Sequence, residues 1–341
     1  MKNTTRNDAA SQRISRRDVL KTFGLGAAVL GAPRAFGQGA AWPAKPIRLI
    51  ATQAPGSSND ATARALAEYM TKELGATVVV ENRPGAISTI GGEVVAHSPA
   101  DGHTLLITLQ SSAAQASVLV KNPAVNFDTD LVPVASVGVG PVVGVAHKAF
   151  PANSLKELIA LARTKPVNCG NYAIGSGWQL MLHQLSKDTG AEFNVATYKG
   201  TGAMLGDLYG GQVSIGAGSL AGIGGGIKVG NVKPLVVTTG PHSKALPDTP
   251  TWAEAGFIGP AYQDLAETNM LFAPKGTPRE IVDRIARLVQ RSVVESERVR
   301  NVMATLAEDE TPLVGEDLHK FIARSWPTYR WLTREIGIAQ T

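Results

Sequence analysis

The chain has 341 residues, 44% of them apolar and 6% aromatic, with 36 glycines, the composition of a globular protein. Its formal charge of +5 comes from the first 37 residues, which hold seven Lys/Arg and two Asp/Glu; the rest carries 26 of each sign. Without that segment the protein is neutral, which removes the electrostatic case for nucleic acid or an anionic membrane as a partner. The one cysteine, Cys169, excludes an internal disulfide, and no Cys/His cluster has metal-ligand spacing.

In chain order, a polar basic stretch leads to Ser15-Arg16-Arg17-Asp18-Val19-Leu20-Lys21. A weakly apolar run at 22–32 and the small residues Ala35, Gly37, Gly39 and Ala40 follow. This is the order of a twin-arginine export signal, and the apolar run is far shorter than the roughly 20 residues that cross a bilayer. Residues 1–37 are therefore predicted to be a removable signal and the protein to be periplasmic. Such export often accompanies cofactors, yet the sequence offers no cofactor site.

After the signal, short β-branched runs alternate with helical patterns, which predicts an α/β fold with mainly parallel sheets. Strands are predicted at 46–52, 77–81, 104–109, 167–173, 193–198, 213–216, 233–238 and 270–273. Helices are predicted at 60–74, 87–97, 155–163, 178–189, 203–209, 278–296 and 315–336. Asp60 is placed to cap the first helix, and Gly75 and Gly190 to close two of them.

The turns after the strands are built from small polar residues. They are residues 54–59, Gln110-Ser111-Ser112, Gly175-Ser176-Gly177, Gly200-Thr201-Gly202 and Gly216-Ala217-Gly218-Ser219. In open α/β sheets ligands bind at the carboxyl ends of the strands, and small loops there bring backbone N–H groups and helix N-termini close to a bound anion. Gly and Ser also dominate ordinary turns. Five such loops at corresponding places favour a binding cleft.

Eight segments, in order and spacing, carry a resemblance over 42–338: WPAKPIRLI at 42–50, VVVENRPGA at 78–86, DGHTLL at 101–106, YKG at 198–200, DLYGGQV at 207–213, ALPDTPT at 245–251, AEAG at 253–256 and LFAPKGTP at 271–278. The chain resembles the substrate-binding proteins of tripartite tricarboxylate transporters, the Bug receptors. The resemblance implies a type II-like, two-lobed periplasmic-binding-protein fold, with a cleft between lobes joined by a two-stranded hinge. Residues 43–142 and 267–341 would form lobe 1, and 143–266 lobe 2. It implies a non-enzymatic, monomeric receptor that captures a small carboxylate or related polar solute and presents it to the transporter's membrane subunits. The alternatives are a ligand-presenting sensory receptor without a dedicated transporter and, behind it, a periplasmic enzyme on the same fold.

In that family a ligand carboxylate is held by amides and hydroxyls of the strand–helix loops, which fits the ability of a helix N-terminus to hold an anion without a neutralising Arg. The corresponding residues on the first lobe are Gln53, Gly56, Ser57, Ser58, Asn59, Asp60, Gln110, Ser111 and Ser112. On the second they are Ser176, Trp178, Gln179, Tyr198, Lys199, Gly200, Gly218 and Ser219. The chain departs from the family pattern in these loops. Gln53 replaces an aromatic wall, Ser57-Ser58 a Gly-Gly pair and Gln179 a His. Gly218 stands where the family can carry an acid for a ligand amine. Losing that acid weakens the case for a ligand with a free ammonium, while Gln53 and Trp178 suit an amide, an aromatic acid or another polar ring.

Plainer readings stand beside these. Asp60 reads first as a helix cap, Trp178 equally as lobe packing, and His183 as a core or surface histidine. Arg64 and Arg83 read as members of structural ion pairs. The stretch at 216–221 fits a loose G-x-G-x-x-A, but no acid follows about 20 residues later as a dinucleotide site requires. No G-x-S-x-G nucleophile turn and no Cys/His pair supports catalysis.

Overall fold

The computed structural model describes residues 42–138, 141–238, 243–307 and 311–340; the export signal read at 1–37 lies outside them. Runs rich in Ile, Leu and Val form β1 (Ile47–Ala51), β2 (Val78–Asn82), β3 (Thr104–Leu109) and β4 (Leu131–Gly138). The chain then lays down β5 (Val142–His147), β6 (Val167–Asn171), β7 (Phe193–Thr197), β8 (Ile215–Ser219) and β9 (Val232–Val237), and ends its strands with β10 (Thr268–Pro274). They assemble into two five-stranded sheets, ordered β2-β1-β3-β10-β4 and β7-β6-β8-β5-β9.

The sheets repeat one plan. In each, three strands run parallel, as when Leu49 pairs with both Val80 and Leu105, or Cys169 with Val195. The fourth runs antiparallel to both its neighbours: β10 to β3 and β4, and β5 to β8 and β9. The predicted mainly parallel sheets are thus mixed. The chain passes between sheets twice, after β4 and before β10.

The helices are α1 (Ser58–Leu74), α2 (Thr89–Ala96), α3 (Gln110–Leu119), α4 (Leu155–Ala162), α5 (Gly177–Thr189), α6 (Thr201–Tyr209), α7 (Leu220–Lys228), the single turn α8 (Pro260–Gln263), α9 (Arg279–Glu295), α10 (Glu297–Thr305) and α11 (Gly315–Ile336). Side-chain oxygens start several of them: Ser57, Ser154, Ser176 and Ser219 each accept an N–H of the first turn. Gly75 ends α1 at φ 64°, a left-handed conformation that costs glycine nothing.

One face of the first sheet packs under α1 and α9 through Leu49, Leu66, Met70, Ile285 and Val289. On the other side Ile50, Leu106 and Phe272 join Trp326 and Tyr329 of α11 in a single core that continues into Trp178, Leu182 and Val236 of the second sheet's half. Helix α11 packs on α3, α5, α8 and β4, so one element supports both halves. Each fully buried large apolar side chain there stabilises by about 1.5–3 kcal/mol relative to exposure.

Two predicted loops have a different form. Residues 110–112 are the first turn of α3, whose small and polar composition hid its period. Residues 216–219 are strand, because Gly216, Ala217, Gly218 and Ser219 pair along β5.

Candidate ligand-binding cleft

Five helices begin around one cavity of about 840 Å³. Its wall takes Gly56, Ser57 and Ser58 at the start of α1, Ser111 and Ser112 of α3, Gly175 and Ser176 before α5, Gly200, Thr201 and Gly202 at α6, and Ser219 before α7. A helix N-terminus carries about half a positive charge and unsatisfied N–H groups. Several of them around one partly enclosed space favour an anion without a row of basic side chains.

The first wall is held from behind by Asp60. Its carboxylate accepts from the Gly56 amide at 3.0 Å, from Arg64 Nε at 3.0 Å and from Asn82 Nδ2 at 2.8 Å, while Asn82 also donates to the Gln53 carbonyl. Burial opposes its ionisation, but Arg64, Gly56 and Asn82 together hold the carboxyl below its usual value. Asp60 is therefore a buried brace behind the loop it shapes. Asn59 is fully buried and donates to Asn269 at 2.7 Å. Gln53, Gly56, Ser57 and Ser58 do line the cavity. The amides of Ser58 and Asn59 have no hydrogen-bond partner among the described residues, as expected for the first N–H groups of a helix.

At α3 the side chains separate in the same way. Ser111 and Ser112 line the cavity, whereas Gln110 is fully buried, donating to the Ala266 carbonyl at 2.7 Å and accepting from Ser325. Gln115, one turn on, also lines the space and donates to the Gly175 carbonyl at 2.8 Å and to Thr333. The sequence reading missed Glu267, which enters the cavity from the start of β10. The Ser111 amide donates to Glu267 Oε1 at 3.1 Å, and the Thr268 amide to the same oxygen at 3.3 Å. Burial pushes this carboxyl up to about 7, against the opposing pull of the Ser111 hydroxyl and of the two amides.

On the second side Ser176, Tyr198, Lys199, Gly200 and Ser219 line the cavity, joined by Thr201 of the same small polar loop and by Tyr172 and Ile174, which the sequence reading left out. Tyr198 donates its phenol to Asp207 at 2.6 Å, and that hydrogen bond, with burial, raises its pKa to about 12. Lys199 is exposed at the rim. Three predicted contacts lie behind the wall. Trp178 is 1% exposed, donates to Cys169 Sγ at 3.1 Å and packs on Trp252; the bare backbone of Gly144 makes room for its ring. Gln179 accepts from the Gly175 amide at 2.9 Å and so fixes the loop before α5. At Gly218 a Cβ would meet Thr201 Cγ2 at 2.5 Å, so the position that could carry an acid is filled by the Thr201 side chain instead.

The plainer readings also find their places. Arg64 pairs with Asp60 and Arg83 with Glu81, and His183 lies half-buried on α5, 3.9 Å from Glu335. Cys169 is buried, and burial pushes its thiol up to about 12, against an opposing hydrogen bond from Trp178.

Comparison with known proteins agrees with this architecture. The model of the tripartite tricarboxylate transporter family receptor, TctC, matches residues 62–338. Protein BugT of Bordetella pertussis (strain Tohama I) is 34% identical over 302 residues, covering 87% of this chain and 90% of BugT. The solved structure of an R. palustris protein with adipate superposes with a TM-score of 0.74 at 28% identity, over 88% of this chain and all of that one. MatC from Rhodopseudomonas palustris with bound malate gives a TM-score of 0.67 at 27% identity, over 85% of this chain and 99% of MatC. The chain belongs to the tripartite tricarboxylate transporter receptors, the Bug family of periplasmic solute-binding proteins.

Proposed function

We propose that this protein captures a small organic acid in the cleft between its two sheets and delivers it to the membrane subunits of a tripartite tricarboxylate transporter. The convergence of five helix N-termini on one cavity carries this reading, since that arrangement holds a carboxylate by amides and hydroxyls. The relatives bound to adipate and malate support the ligand class. In this reading the contacts are Gln53, Gly56, Ser57, Ser58, Ser111 and Ser112 on one side, and Ser176, Tyr198, Lys199, Gly200 and Ser219 on the other. The protein works as a monomer in the periplasm after export through the twin-arginine signal at 1–37.

The lobes would be 43–142 with 267–341, and 143–266. Ligand bridging both walls would stabilise the closed arrangement by the extra contacts made there, a population shift between two forms. The test is a thermal-shift screen of the mature protein against mono-, di- and tricarboxylates, aromatic acids and amides. A ligand at about 100 times its dissociation constant adds roughly 2.7 kcal/mol of stability. Turnover of a substrate with no stabilisation by any solute would refute the receptor reading.

A further inference from the structure

Glu267 stands out among the groups of the cleft. Its carboxylate already occupies the Ser111 amide at the start of α3, so one of the anion-binding helix ends is filled by the protein itself. No Lys, Arg or His lies within ion-pair distance of it among the described residues. Its hydrogen-bond donors are Ser111 and the Thr268 amide. The side chain nevertheless lines the cavity wall, so the missing counter-ion can come from a solute.

We propose that Glu267 is the specificity-determining residue of the cleft and selects a solute that carries an ammonium group in addition to its carboxylate. The inference rests on the carboxylate-receptor reading and narrows it. The solute carboxylate would take a helix end that remains available, such as the amide of Ser58 at the start of α1, and its ammonium would face Glu267. A second carboxylate there would bring like charges together where little water remains, which costs far more than it would at a surface. The acid lost at Gly218 is in this way replaced from the other half of the molecule.

Tyr198 and Lys199 line the same cavity, and two titratable groups feel the charge of this carboxylate: Tyr172 in the loop after β6 and Tyr329 on α11. Burial raises both phenols above their usual range, with Glu267 adding to the effect, so both stay neutral across neutral pH. Glu267 is then the carboxyl whose charge changes in this window, its pKa having been pushed up to about 7 by burial. An ammonium needs it ionised, so such a solute binds more tightly as pH rises and releases a proton on binding. A diacid binds more weakly as pH rises and takes a proton up.

The experiment is isothermal titration calorimetry of the mature protein at pH 6, 7 and 8, in buffers of differing ionisation enthalpy. The probes are chain-matched pairs: glutarate with 4-aminobutanoate, adipate with 5-aminopentanoate, and terephthalate with 4-(aminomethyl)benzoate. In the best-binding pair the amino acid should bind at least tenfold more tightly than the diacid at pH 8. Its Kd should fall about tenfold from pH 6 to 8, as expected for one group titrating near neutrality. Glu267→Gln should abolish both the preference and the proton release. If that variant fails to fold, the sign of the proton exchange in the wild-type protein decides the matter. Tighter diacid binding with proton uptake overturns the proposal and leaves the carboxylate receptor standing. Absence of binding by every pair overturns both.

Discussion

Two carboxylates sit at the starts of two helices around one cleft, and their fates differ. Asp60 belongs to α1 itself, meets Arg64 one turn along, and is held below its usual value despite its burial. Glu267 reaches the start of α3 from β10, meets amides and a hydroxyl but, among the described residues, no cation, and burial pushes it up to about 7. Both complement a helix dipole. The difference is the arginine, which makes the first acid part of the scaffold and leaves the second available to a solute.

The largest effect expected from this contrast is at Asp60. Asp60→Ala strands the Gly56 amide, Asn82 and Arg64, and should cost about 2–4 kcal/mol by chemical denaturation. A loss under about 1 kcal/mol would place Asp60 outside the scaffold and dissolve the comparison.

Next comes pH, where the two acids act with opposite sign. The folded-state pKa of Asp60 lies below its ordinary value, so its contribution is present at neutral pH and fades as pH falls through that lowered pKa. Glu267 is raised, so the empty folded protein holds its proton longer than the unfolded chain. Its contribution is full below the ordinary glutamate pKa of 4.5 and is lost as pH rises through about 7. That loss can reach about 1.4 kcal/mol per pH unit at its steepest. Urea melts of wild type and Glu267→Gln between pH 5 and 8 should differ in slope, the variant being flatter; parallel slopes would show that Glu267 titrates as an ordinary surface acid.

Smaller effects sharpen the picture. Ser57→Ala removes the cap of α1 and should cost about 1 kcal/mol. Glu267→Gln keeps the shape of the side chain and should change the stability of the empty protein at pH 7 by about 0.5–1 kcal/mol, in either direction, so that its consequence is read in ligand preference.

The fold was legible because its signals are local. β1, α1 and β3 follow from apolar runs, a capping pattern and a closing glycine within a few residues. β4 and β5 were missed because Pro133 and the glycines Gly138 and Gly144 break the pattern of runs that become strands by pairing with β10, β8 and β9. α3 was missed because a helix of Ser, Ala and Gln has no strong apolar stripe.

The site was half legible for a related reason. Small polar loops announced the helix ends, and eleven of the predicted residues line the cavity. Sequence could not say which side of a loop each residue takes: Trp178 turned inward to Cys169 and Trp252, Gln179 to the Gly175 amide, and Asn59 to Asn269. Glu267 had no local signal at all. It lies 156 residues from Ser111 in sequence, and only the return of β10 to the first sheet brings the two together.

A solute is expected to bind where these helix ends converge. A crystal structure of the mature protein grown with its tightest-binding acid tests it most directly. The solute carboxylate should lie within hydrogen-bond distance of the amides at the start of α1 or of the loops before α5 and α6, enclosed between the two sheets. A solute seated outside that cavity, or one touching only the wall of a single sheet in a fully open cleft, would contradict it.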